Sequence, residues 1–342
     1  MKWGLVMGQS GYVIRTGSCE KCELCGSRGK ELYTGQTDRL YGAPGEWNLK
    51  RCTNADCGLV WLDPRPVEED IALAYRRYYT HQSEVGGVTR RHVVGPAYQL
   101  LRGILARVTG LINEQKAIRT RYIGDQLPGK LLEIGCGSGD YIALMRTLGW
   151  DVEGVETDPI ACQCAREANA LSVHEGTLAS ADYAVDSFDA IVMNHVIEHV
   201  HDPVALLKEC YRIVKPGGHV VVVTPNIESW GHGKFRENWR GLEPPRHIHI
   251  FSPTTIELAA RLAGFYRMKI RTTPANADII IGASMDLKAS VKSGANMDKM
   301  RYLNFFQKVV RQSTLILHQY REYQLWKSNA NIGEEAVLIC QK

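Results

Sequence analysis

The stretch Leu131–Asp140, LLEIGCGSGD, decides how the chain is read. Two leucines, an acid and an isoleucine read as a buried strand. Gly135, Gly137 and Gly139, at alternate positions, then turn the chain into a helix. Such glycines permit φ > 0 and let a ligand lie against bare backbone. The following YIALMRTLGW has helical apolar spacing at Ile142, Met145 and Leu148. A second strand, within WDVEGVETDP, ends in Glu156, nineteen residues beyond Gly137. Nucleotide-binding folds place there the carboxylate that holds ribose hydroxyls.

The spacing discriminates between ligands. A dinucleotide fingerprint, G-x-G-x-x-G, needs a third glycine where pyrophosphate crosses the helix start. Counted from Gly135, that position is Asp140, and an acid there disfavours phosphate. The loop is instead E-x-G-x-G-x-G, and Glu133 or Asp140 would attract a cationic amino group. At these residues the chain resembles the class I S-adenosylmethionine (SAM)-dependent methyltransferases. The resemblance implies an α/β, Rossmann-like domain with a seven-stranded sheet. It implies that Glu133, Gly135, Gly137 and Gly139 cradle the methionine part of SAM and that Glu156 binds its ribose. Thr177 and Leu178, ending the third strand, would border the adenine.

FDAIVM (188–193) reads as the fourth strand and runs into NHVIEHVHDP. In the family the residues after this strand lie beside the transferred methyl group. Asn194 is therefore expected against SAM, with His195, Glu198 and His199 as acid–base candidates. On a helix, His195 and His199 would share a face with Glu198 beside them, a spacing that also suits a metal. His199 equally suits a buried, hydrogen-bonded role. Lys215–Gly218, KPGG, reads as the turn before a fifth strand. The segment 226–252, NIESWGHGKFRENWRGLEPPRHIHIFS, is rich in aromatic, His and Arg residues. It resembles the cover of the acceptor pocket in methyltransferases of small-molecule and polysaccharide pathways. That makes Trp239, Glu243 and Arg246 candidates for binding a hydroxyl-rich acceptor, and His247 a second candidate base.

Ahead of this core, Cys22 and Cys25 form a C-x2-C pair, and Cys52 and Cys57 a C-x4-C pair. Four thiolates in two such loops suit tetrahedral, structural Zn²⁺. Cys19, three residues before Cys22, stands as an alternative ligand or a spare thiol. A ferredoxin-type run is not supported, because Gly29 occupies its fourth position. The segment resembles the zinc ribbon that precedes the methyltransferase domain in some family members. The expected organisation is a ribbon over 1–66, a helical linker and lid over 67–125, and a methyltransferase domain over 126–342. In the lid, Tyr79 and His81 would face SAM or acceptor. An amphipathic helical insertion is expected at about 285–330. Its surplus of Lys and Arg suits packing on the core, a second subunit in a homodimer, or a membrane surface.

Across 342 residues the formal charge is +4, which gives no strong nucleic-acid footprint. No apolar run reaches membrane-spanning length and the N-terminus has no signal-like apolar core, so a cytoplasmic protein is expected. The function that follows is O-methylation of a sugar or other small hydroxylated acceptor. Three alternatives stand beside it: a macromolecular substrate docked by the ribbon, an NAD-dependent enzyme, against which Asp140 argues, and a non-catalytic SAM-binding subunit.

Overall fold

The computed structural model describes residues 4–7, 12–76, 96–293 and 305–342. The N-terminal region supplies β1 (Gly4–Met7), β2 (Val13–Gly17), β3 (Gly29–Gln36), β4 (Trp47–Cys52), β5 (Val60–Leu62) and β6 (Arg65–Pro66). A 3-10 turn at Glu68–Tyr75 follows, then α1 (Pro96–Thr109) and α2 (Leu111–Arg119), broken at Gly110. Within the helical linker and lid expected over 67–125, Glu68–Tyr75 is a 3-10 helix, and residues 77–95 lie outside the described residues.

The core alternates β7 (Lys130–Ile134), α3 (Asp140–Thr147), β8 (Asp151–Glu156), α4 (Pro159–Asn169), β9 (Ser172–Glu175), β10 (Phe188–Asn194), α5 (Pro203–Ile213) and β11 (Val214–Pro225). Then come α6 (Trp230–Phe235), β12 (His249–Ile250), α7 (Pro253–Leu262), β13 (Arg267–Thr273), α8 (Ala277–Ser293), α9 (Phe305–Ser328) and β14 (Glu335–Gln341). The main sheet has seven strands in the order β13-β14-β11-β10-β7-β8-β9. Only β14 runs antiparallel to its neighbours. The order reverses direction at β7, so the ends of β7 and β10 open a crevice beyond the sheet, where such folds bind ligands.

Local chemistry sets the helix starts. Asp158, Asp202 and Ser252 cap α4, α5 and α7, each followed by proline at the first helical position. The expected KPGG turn is part of β11, where Phe188 faces Val214 but Ala190 faces His219, so the intervening residues bulge out of register.

The ribbon and the core share one interior. The four-stranded sheet runs β12-β5-β4-β3, so its outer strand comes from residues 249–250 of the C-terminal part. Cys22, Leu24, Cys52, Cys57, Leu59 and Trp61 pack in the same buried cluster as Ile134, Met193, Ile197 and Phe251. A fully buried apolar side chain of this size contributes roughly 1.5–3 kcal/mol, so this shared core is a strong bond between the two parts.

Candidate active site

The glycine loop lies at the end of β7. A Cβ on Gly135 would stand 2.5 Å from Val196, so this residue must be glycine for the loop to touch the turn after β10. Gly137, with φ +53°, has nothing within 4 Å of its Cβ position, so bare backbone faces open space there. Glu156, at the end of β8, accepts the Gly137 N–H at 2.8 Å and also those of Thr157 and Asp158. Buried Glu133 keeps one oxygen, Oε2, without a protein partner, and so does the buried Oδ1 of Asn194. Burial raises the Glu133 pKa to about 8. Two orphaned acceptors beside an open glycine backbone suit a ligand with an ammonium group and hydroxyl donors, and SAM has both. Leu178 is buried and Thr177 exposed after β9.

The turn after β10 differs from the helix expected there. His195 adopts φ +55°, and a 3-10 turn at Ile197–His199 follows. His195 and His199 therefore do not share a helical face. The His195 ring lies between two buried carboxylates, with Nδ1 3.1 Å from Glu198 and Nε2 2.7 Å from Glu335. Burial opposes charge on the ring, but the hydrogen bonds to Glu198 and Glu335 outweigh it and raise its pKa to about 10. His195 is therefore a fixed proton donor at neutral pH, not the free base expected from sequence. Its side chain is 34% exposed, so one edge remains open to a ligand.

His199 and His247 are the inner part of the site. His199 Nδ1 meets the Tyr75 hydroxyl at 2.8 Å and the Arg246 carbonyl at 3.0 Å. His247 Nδ1 donates to the Gly241 carbonyl at 2.8 Å, and the two rings pack edge to face at 4.7 Å. Burial lowers both pKa values, that of His247 well below the usual range. Ligand atoms of Glu198, His199 and His247 lie within 4.8 Å of one another. Glu198 already receives His195 and, through its other oxygen, Thr224 at 3.0 Å.

The expected acceptor contacts fall into two groups. Tyr79 and His81 lie outside the described residues. Trp239, Glu243 and Arg246 are interior: Trp239 is 1% exposed and donates its indole N–H to Glu334 at 2.8 Å. Arg246, fully buried, donates to Glu243, to Asp38 and to the Ala74 carbonyl, each at 2.8–2.9 Å. Arg246 thus ties this segment to the N-terminal region, Trp239 ties it to the residue before the final strand, and Glu243 bonds within the segment, to Arg240 and Arg246. Sequence reading missed Glu335, Asn276 and Glu334. Glu335 receives His195 and Asn276, while burial raises Glu334 to about 7. The only local signal for Glu335 was an acid opening an otherwise apolar final strand.

In the ribbon, Cys22 and Cys57 sulfurs lie 3.6 Å apart, Cys25 and Cys52 3.4 Å, and all four within 4.8 Å. A tetrahedral site with Zn–S of about 2.3 Å has sulfurs about 3.8 Å apart, so these thiols fit zinc. Cys19 stands outside this set, with its carbonyl accepting the Trp61 indole.

Residues 110–269 match the family model of a methyltransferase domain. This match covers just under half of the chain. Similar proteins include the ubiquinone biosynthesis O-methyltransferase of Thiobacillus denitrificans, 32% identical over 124 residues, covering 34% of this chain and 53% of that protein. That of Paraburkholderia phymatum is 29% identical over 177 residues, covering 47% and 75%. The chain thus spans about half the length of the first of these relatives. Among solved structures, a SAM-dependent methyltransferase of Thermotoga maritima aligns at 20% identity and TM-score 0.43, over 72% of this chain and 96% of that one. Among the described residues no helix is long and apolar enough to cross a membrane.

Proposed function

We propose that the protein is a SAM-dependent O-methyltransferase acting on a sugar or other small hydroxylated acceptor. The observation that carries this reading is the meeting, at one sheet edge, of an open glycine backbone, Glu156 and the unpartnered oxygens of Glu133 and Asn194. SAM, when bound, supplies a methyl group already activated for transfer. On this reading Glu156 accepts the ribose hydroxyls, Glu133 and Asn194 meet the methionine end, and Thr177–Leu178 border the adenine. The names of the relatives support oxygen as the methylated atom.

For such a reaction the chain's main tasks are positioning and a route for the hydroxyl proton. The Glu198–His195–Glu335 unit has two carboxylates and one cation, so it offers that proton a destination beside Asn194. His195 orients the two carboxylates, and His199 and His247 stay neutral behind them. Zn²⁺ is assigned to Cys22, Cys25, Cys52 and Cys57 as a structural ion, in keeping with a reducing, cytoplasmic setting. The acceptor is read as a small molecule or glycan rather than nucleic acid. The exposed Val310, Leu317 and Tyr320 of α9 give a membrane surface or second subunit a place to rest.

The test is transfer of labelled methyl from SAM into host extract, separated into small-molecule, glycan, lipid, protein and nucleic-acid fractions. Label in the small-molecule or glycan fraction is expected. Label in protein or nucleic acid overturns the acceptor class, and SAM binding without label in any fraction favours a non-catalytic subunit.

A further inference from the structure

Three backbone or side-chain bonds pin the turn that carries Glu198 and His199, and all three lead to the ribbon or to the strand that completes it. The Glu198 carbonyl accepts the Ile248 N–H at 2.9 Å, and the Ile248 carbonyl accepts the Leu62 N–H at 3.0 Å. The Val200 carbonyl meets Nδ1 of His249 at 3.1 Å. The third is His201, whose Nε2 donates to the Pro66 carbonyl at 2.9 Å.

His249 is the joint. It is fully buried, it pairs with Trp61 in the ribbon sheet, and both its ring nitrogens face oxygen acceptors. Its Nε2 meets Glu23 at 2.8 Å. Glu23 stands between Cys22 and Cys25, inside the first metal loop, and its other oxygen pairs with Arg65 at 2.6 Å. A continuous path therefore runs from the metal loop through Glu23 and His249 to Val200, one residue beyond His199. The buried packing of Cys22, Leu24 and Trp61 against Ile197 runs alongside it.

We infer that Glu23 and His249 are positioning residues: the loaded four-cysteine loop fixes the Glu198–His201 turn through them, so that metal loading sets competence for methyl transfer. The link to turnover rests on the methyltransferase reading above; the link between loop and turn does not. It gives the ribbon a task inside the reaction centre. Glu23 follows Cys22 directly, so a metal held by Cys22 and Cys25 would fix the reach of this carboxylate to His249. A loop released from metal loses that fixed distance, and with it the hydrogen bond that holds the Val200 carbonyl.

The test uses the full-length, zinc-loaded protein and its Glu23→Ala, Glu23→Gln and Arg65→Ala variants. Metal analysis, amide hydrogen exchange, SAM affinity and turnover are measured on each. Glu23→Ala is expected to keep about one zinc per chain and SAM affinity within twofold, to speed exchange of the Ile248 amide at least tenfold, and to lower kcat at least tenfold. Glu23→Gln keeps an acceptor for His249 and is expected to restore most of both effects. Arg65→Ala, which spares the His249 contact but frees the other oxygen of Glu23, should change Ile248 exchange and kcat less than Glu23→Ala does. Unchanged Ile248 exchange in Glu23→Ala at full zinc content overturns the inference, whatever turnover does. Faster exchange with unchanged kcat overturns the catalytic half alone. Absence of turnover in the unmodified protein would fall on the methyltransferase reading and leave the exchange result standing.

Discussion

The bond between Gly137 and Glu156 joins residues 19 apart in the chain, whereas the bond between His195 and Glu335 joins residues 140 apart. Both lie at the same edge of one sheet. The glycine-loop side is built by a single strand–loop–helix–strand unit, so its chemistry is written in consecutive residues. The His195 side is assembled from the end of β10, the segment 226–252, the first residue of β14 and, through Asp38 and Glu23, the N-terminal region. The second exists only when the whole chain is folded, and its geometry depends on parts that touch no ligand.

The largest expected effect tests whether the two parts separate. If the ribbon shares the main core, Cys22→Ser should remove zinc and destabilise the entire fold by on the order of 5 kcal/mol, in one thermal transition. A ribbon that melts alone, leaving the main transition in place, would break the comparison. Next in size, Glu335→Gln takes away one of the two carboxylates on His195. Turnover should fall by about tenfold to a hundredfold while SAM affinity changes less than twofold, because the substitution touches only the long-range side. Equal losses in both would show that the two sides are not distinct.

A smaller effect lies in pH dependence. The folded-state pKa of His195, about 10, lies above the value of about 6.5 expected unfolded. Its contribution to stability is therefore complete below about pH 6.5 and lost as pH rises towards 10. Denaturant midpoints should fall across that window, and His195→Gln should flatten the slope. The smallest signal is on the glycine side. Glu133, held protonated by burial near neutral pH, should ionise when it meets an ammonium group. SAM binding at pH 7 should then release up to about one proton, seen as a binding heat that varies with buffer, and affinity should rise with pH to a plateau above about 8.

How much was legible follows the same division. The glycine loop, the acid nineteen residues beyond it and the two cysteine pairs could be read from spacing along the chain, and the seven-stranded sheet followed from the family resemblance that those residues carry. The His-rich turn could not. A helical reading of 195–199 assumes φ < 0, and His195 is held at φ +55° by partners that no local pattern announces. Arg246 and Trp239 looked like ligand-facing residues by type. Their burial comes from Asp38 and Glu334, which lie 208 and 95 residues away. A polar, aromatic segment can be interior when distant charges satisfy it.

The most direct test of the central claim is calorimetric titration of SAM into the purified protein and into Glu156→Ala. The account predicts one site per chain in the unmodified protein and at least about tenfold weaker binding in the variant, in line with loss of a charged hydrogen-bond acceptor. SAM binding that is absent, or that is indifferent to Glu156, would contradict it.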